Sequence, residues 1–266
     1  LAMANPRPRL VLLDPRLVPG GELALRYALR GAVGRIARLR ITLEGREEAS
    51  YRRGTSTTTD KHTVWTVPVC DETDPREVRE GEVRVRLPDG LMHSFEAESN
   101  KVVWTLQVRG EIPAWPDLKE EFPVAVLPAA PEGARASADL KRATSGDGRV
   151  VLTLAGRWVP GEKVMGEVTW DLAQVPVSAD VTLCWFTRGK GTEDAGELAT
   201  AKLHGLSASF RGTYGFDLPR APHAYHGRLI SLLYAVELVR EPGGEPVRIE
   251  FEPGPSGGAV TAPAAE

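Results

Sequence analysis

Leu39-Arg-Ile-Thr-Leu43 carries an apolar side chain at every second position. Side chains of a strand point to alternate faces, so this run can bury Leu39, Ile41 and Leu43 while Arg40 and Thr42 stay in water. The same period of two recurs in Val83-Arg-Val-Arg-Leu87, Trp104-Thr-Leu-Gln-Val108, Val168-Thr-Trp-Asp-Leu172, Tyr234-Ala-Val-Glu-Leu238 and Val247-Arg-Ile-Glu-Phe251. Turn residues bound these runs: Pro19-Gly-Gly21, Pro88-Asp-Gly90, Pro160-Gly161 and Pro242-Gly-Gly244. The main helical competitor, residues 23–36, is interrupted by Gly31 and Gly34 and reads better as strand. Short half-buried strands separated by turns predict an all-β chain of antiparallel sandwiches rather than βαβ units.

Composition agrees with a folded protein. The 266 residues include 33 Lys and Arg against 36 Asp and Glu, a net charge of −3, with 42% apolar residues. That balance excludes a disordered chain and a strongly basic nucleic-acid binder, and the length suits one large or two medium domains. Cys70 and Cys184 are too few for a disulfide scaffold or a four-cysteine zinc site. Leu10-Val-Leu-Leu13 is stopped by Asp14 and Pro15, far short of the ~20 apolar residues of a spanning helix. The opening Leu1-Ala-Met-Ala-Asn5 lacks the basic start of a signal peptide and reads as an expression scar, which leaves a removed anchor or signal open. Cytoplasm is the expected location, since one cysteine lies in each half with no neighbour to pair with.

The chain also echoes itself across a small-residue stretch near its middle. Val18-Pro-Gly20 matches Val159-Pro-Gly161, Ile41-Thr-Leu43 matches Val181-Thr-Leu183, and Leu87-Pro88 matches Leu218-Pro219. His93-Ser-Phe95 matches His223-Ala-Tyr225, and Val103-Trp104 matches Leu233-Tyr234. Such ordered matches predict tandem copies of one sandwich, over 8–128 and 149–253. Residues 129–148, small and polar with no period-two run, read as a linker, and 254–266 as a flexible tail that cannot bury enough surface to offset its ordering entropy.

Each copy resembles an arrestin-type half. The marks are Pro19-Gly20, residues 39–45 and Leu87-Pro88 with Ser94-Phe95 and Trp104. In the second copy they are Pro160-Gly161, Gly166 and Leu218-Pro219 with Tyr225-His-Gly227 and Tyr234. The resemblance, over about residues 10–252, implies two arrestin-like, Ig-like sandwiches forming an intracellular, non-enzymatic adaptor, as in arrestins and the retromer subunit of similar fold. The chain departs from that family in having no Pro-Pro-x-Tyr ligand, no recognisable polar core and no acidic regulatory tail. Receptor regulation is therefore not carried over, and a prokaryotic or divergent member is expected.

Catalytic signatures are missing. There is no Gly-x-Ser-x-Gly elbow, no phosphate loop and no His-Glu-x-x-His. Arg188-Gly-Lys-Gly-Thr192 lacks phosphate-loop spacing and suits a hairpin turn better. His223 and His226 fall on opposite faces of a strand, which spoils chelation, so these histidines read as turn and surface residues. Glu47-Glu48 and Glu120-Glu121 read as charged strand ends. No catalytic residue, metal ligand or cofactor is expected. Trp104 and Trp170 lie on the apolar phase and read as core, whereas Trp115, between prolines, is the most exposed candidate, on a strap or a binding edge.

Charge is uneven. Residues 1–66 hold 12 Lys and Arg against 6 Asp and Glu, and residues 67–130 hold 7 against 13. Arginine's planar fork suits phosphate and carboxylate, which makes Arg35, Arg38, Arg40, Arg52 and Arg53 a candidate anion-binding face. The other possibility is that this face is neutralised by the acidic stretch 71–82. The expected partner is a protein, with an anionic or phosphorylated one, or a membrane-associated one, left open, and no nucleic acid. The competing functions are an extracytoplasmic Ig-like module of a membrane-anchored protein and a sandwich hydrolase or carbohydrate-binding module.

Overall fold

A computed structural model describes residues 5–131, 137–242 and 244–264. The described residues form eighteen strands and one short α-helix, in sandwich-like packing of mostly antiparallel sheets. Contacts divide the chain into two units, Leu1–Ala129 with Gly227–Leu229 and Ala262–Glu266, and Ala130–His226 with Ile230–Thr261. No helix among the described residues is long and apolar enough to cross a membrane.

The first unit contains β1 (Arg7–Leu12), β2 (Glu22–Arg30), β3 (Arg38–Arg53), β4 (Ser56–Glu72), β5 (Glu80–Arg86), β6 (Phe95–Glu96), β7 (Asn100–Glu111) and β8 (Leu118–Val124). One sheet runs β1-β2-β5, and the other runs β4-β3-β7-β6 with β8 also on β7. Along β3, Leu39, Ile41 and Leu43 are fully buried, as the alternation predicts. Helix α1 (Pro75–Arg79) starts where the Asp74 carboxylate accepts the Arg76 amide at 2.8 Å and proline fixes the first turn. It brings the Glu77 carbonyl to the buried Tyr27 hydroxyl, which donates to it at 2.8 Å.

The second unit contains β9 (Asp139–Thr144), β10 (Val150–Gly156), β11 (Lys163–Asp171), β12 (Ser178–Gly189), β13 (Ala195–Lys202), β14 (Ser209–Asp217), β15 (Tyr225–His226), β16 (Ile230–Glu241), β17 (Val247–Phe251) and β18 (Val260–Thr261). One sheet runs β14-β11-β10-β9, and the other β13-β12-β16-β15-β18 with β17 on β16. One cluster joins them, with Leu152, Val168 and Trp170 from the first sheet against Val181, Tyr234 and Phe251 from the second. On the opposite face, Phe186, Leu233 and Ala235 form a smaller buried group, with the Arg248 guanidinium 4.1 Å from the Phe186 ring centroid.

Both Pro-Gly turns take the conformation that calls for glycine. Gly20 has φ +71 and Gly161 φ +84, and their amides donate to Pro88 and Leu218 carbonyls at 3.0 and 2.9 Å.

Two expectations about chain organisation need correction. The stretch 129–148 is not simply a linker, since β9 lies inside it and pairs antiparallel with β10; residues 132–136 lie outside the described set. Its residues show no apolar alternation because this edge strand is held by main-chain bonds, with Leu140 left 68% exposed. Nor is 254–264 a loose tail. The Gly254 amide donates to the Trp158 carbonyl at 3.0 Å, and β18 pairs parallel with β15. Ordering here comes from backbone hydrogen bonds, which an account based on apolar burial misses; residues 265–266 fall outside the described set.

Candidate functional site

The longest strand, β4, pairs among the described residues only with β3, which leaves its other side as an edge. A two-residue turn joins the two strands, with Arg53 opposite Ser56. Hydrogen-bonded and non-bonded pairs alternate in an antiparallel ladder, so from that closing pair Thr57, Thr59, Lys61 and Thr63 turn their amides away from β3. The Ser50 amide confirms the phase: it donates to the Ser99 carbonyl at 2.7 Å, away from β4. A register shift beside Gly45 skips Val64, after which Thr66 and Pro68 hold the outward positions. Proline has no amide hydrogen and is tolerated in a strand only where nothing receives one, as here.

Beside this edge lies an open cleft of about 480 Å³. Residues 62–67 form one wall, and Pro88, Leu91, Arg228 and Pro263 are among the others. Its apolar floor depends on Gly45, which stands opposite both Trp65 and Trp104. Those two rings stack with centroids 5.3 Å apart, and a Cβ on Gly45 would meet Trp104 Cη2 at 2.6 Å. The Trp104 indole also donates to the Met92 carbonyl at 3.0 Å.

Glu47 supports the far wall. It lies on the buried phase of β3, two residues beyond Gly45, and is fully buried. Its carboxylate accepts the Arg228 amide at 3.0 and 3.1 Å and the Leu229 amide at 2.5 Å. With its backbone held, Arg228 donates through its guanidinium to the Pro263 carbonyl. One buried carboxylate thus holds Arg228 and, through it, Pro263, two of the residues that line the cleft. On the opposite face of β3, Glu48 bonds Arg46 Nε at 2.9 Å and pairs with Lys61 at 3.2 Å. Burial alone would raise the Glu48 pKa, but bonds from Lys61 and Arg46 outweigh it and hold the carboxyl below its ordinary range.

The five candidate arginines do not form one patch. Arg38 makes a two-pronged bond to Asp71, both arms 2.6 Å, and Arg40 bonds Glu111. The hydrogen bond from Arg38 holds Asp71 below the ordinary carboxylate range. Arg35 sits in a short 3-10 turn with its guanidinium 5.7 Å from the Trp115 ring centroid. Arg52 and Arg53 occupy the hairpin end of β3, about 45 Å from Arg38 at ~3.3 Å per residue. Both are exposed, with no carboxylate at ion-pair distance among the described residues.

The remaining candidates mostly stabilise the fold. None of the six tryptophans is exposed. Trp115 is half-buried and donates to Asn5 Oδ1 at 2.9 Å, so its loop straps down. His93 and His223 are buried rather than on the surface, because the bends that carry them fold inward; burial lowers the His93 pKa. Burial pushes both thiols up, Cys70 and Cys184 alike. No group of three His, Cys, Asp or Glu side chains among the described residues is placed to hold a metal ion.

Sequence reasoning missed Glu47 as a site residue and took it for a charged strand end. The usable signal was its phase: Leu39, Ile41, Leu43, Gly45 and Glu47 share one face, and a carboxylate on a buried face needs a partner. Compared with known proteins, the chain matches no family model and is similar to no curated protein.

Proposed function

We propose that the protein is a non-enzymatic, cytoplasmic adaptor of two tandem arrestin-like sandwiches that binds other proteins through sheet edges. The observation that carries this reading is the free edge of β4 with its cleft. An exposed edge offers a row of unpaired backbone donors and acceptors, and an extended partner can bond to it without any particular side chain. The cleft beside it adds a place for an apolar side chain of that partner.

Parallel details in the two units support the tandem, arrestin-like part. Trp104 donates to the Met92 carbonyl and Tyr234 to the Pro222 carbonyl, both spanning 12 residues. In each unit a long central strand, β3 or β12, lies between its hairpin partner and a second long strand, β7 or β16. A two-residue strand, β6 or β15, follows the Leu-Pro motif and pairs with that second long strand.

The test is retrieval of partners from the native host by tagged wild-type protein and by Thr66→Pro. That substitution deletes an outward amide in the phase that already tolerates Pro68. A protein retrieved by wild type and lost with the variant is the expected result, given equal melting of the two baits. Identical retrieval by both, or nothing above background, overturns the reading.

A further inference from the structure

Resting on the adaptor reading, we propose that the partner at β4 is an extended acidic peptide, added as a strand along residues 56–67. Its apolar side chain would enter the cleft against Trp65.

The length of the site follows from backbone chemistry. Pro68 has no amide hydrogen to donate, so a ladder built outward from the hairpin ends there. Among the other edges β1 carries Pro8, β8 carries Pro123 and β18 has only two residues, while β5, β9, β13 and β14 lack proline but run six to nine residues against the seventeen of β4. On β4 the residues with outward amides before Pro68 are Thr57, Thr59, Lys61, Thr63 and Thr66, all exposed. Trp65 and Val67, which alternate with them, are buried and face the core side.

Charge selects the partner. Asp60 is the only acidic residue in 56–67 and is bonded by the Tyr51 hydroxyl at 3.3 Å. Around the run stand Arg52 and Arg53 at the hairpin end and Arg228 on the cleft wall. Among the described residues the guanidinium groups of these three make no ion pair, whereas Arg38, Arg40, Arg46 and Arg84 each make one; the Glu47 carboxylate is bonded to the Arg228 amide, so Arg52 and Arg53 carry most of the charge selection. Ser56 and His62 are about 20 Å apart along the strand at ~3.3 Å per residue, so a peptide of about ten residues reaches both ends of this basic frame. Guanidinium groups left without a carboxylate favour an acidic ligand and disfavour a basic one.

The probe is a blocked peptide of alternating Glu and Val, titrated into the full chain and followed by tryptophan emission and calorimetry. Expected results are saturable binding, about tenfold weaker at 0.5 M NaCl through screening of the exposed charges. Binding should also weaken at least about tenfold in the Arg52→Glu, Arg53→Glu double variant. A peptide with Lys in place of Glu should not bind. N-methylation at every second residue should abolish binding in one phase and spare it in the other, because only one edge of an added strand faces β4. This comparison uses unaltered protein, so misfolding cannot produce it. No binding at millimolar peptide, equal binding of the Lys peptide, or equal effects of both N-methyl phases would overturn the proposal. If Thr66→Pro still abolishes partner retrieval while the acidic peptide fails, the peptide class is wrong and the adaptor reading survives.

Discussion

Replacing Glu47 by alanine removes the acceptor of the Arg228 and Leu229 amides in a fully buried position. Two backbone donors then lose a charged partner, and each unsatisfied buried donor costs about 1–3 kcal/mol. The truncated side chain leaves an additional void, while release of the carboxylate from its buried site offsets part of the loss. The balance predicts destabilisation of the first unit by about 3–5 kcal/mol. At an m-value of about 2.5 kcal/mol/M, the urea midpoint falls by roughly 1–2 M. Glu47→Gln keeps the volume but offers one acceptor oxygen, and its NH₂ faces an amide donor, so about 2 kcal/mol is expected. Hydrogen exchange read at the Arg228 and Leu229 amides localises the effect: both should lose protection before the strands of the second unit do. An unchanged midpoint together with unchanged protection at these two amides would refute the assignment of Glu47 as their anchor.

Three further outcomes follow from the geometry. Gly45→Ala forces a methyl into Trp104 and should cost about 1–3 kcal/mol, seen as a lower melting temperature and altered near-ultraviolet dichroism. Tyr234→Phe leaves the Pro222 carbonyl without its 2.7 Å donor and should cost about 1–2 kcal/mol in the second unit, measured by denaturant titration. Asp71 is held below its ordinary value of 3.8, so its contribution is complete above that value and disappears as the pH falls through the folded one. Asp71→Asn should therefore lower the melting temperature at neutral pH and bring no further loss from this site in acid, a comparison made by melts across the acid range.

The central strands were legible because burial and alternation coincide in them, as in Leu39, Ile41 and Leu43 and again in Tyr234, Val236 and Leu238. β9 and β18 were not, since main-chain bonds hold them and sequence periodicity reports only side-chain burial. The hairpin half of β4, Ser-Thr-Thr-Thr-Asp-Lys-His-Thr over residues 56–63, has no apolar residue and so lacked a strand signal. It forms because β3 supplies a continuous ladder beside it. Glu47 was hidden for a different reason: its backbone partners lie 181 and 182 residues away, and nothing local announces them. Arg38 and Asp71 were readable as opposite charges but not as a pair, because the β3–β4 register decides which carboxylate each arginine meets.

The two-residue turn between β3 and β4 also bears on how the first unit assembles. Every β3–β4 pair is local in sequence relative to β2–β5 or β3–β7, whose strands must close loops of many residues before any ladder bond compensates. The hairpin is therefore the natural nucleus, and β7 docks later onto a β3 already straightened by its neighbour. In vectorial synthesis the ribbon leaves the ribosome ahead of β7, which follows it in the chain, so β3 has one unpaired side during that interval. Mutations in the turn at Gly54 or Thr55 should consequently slow folding, while changes in β7, whose pairing with β3 closes a longer loop, should mainly speed unfolding.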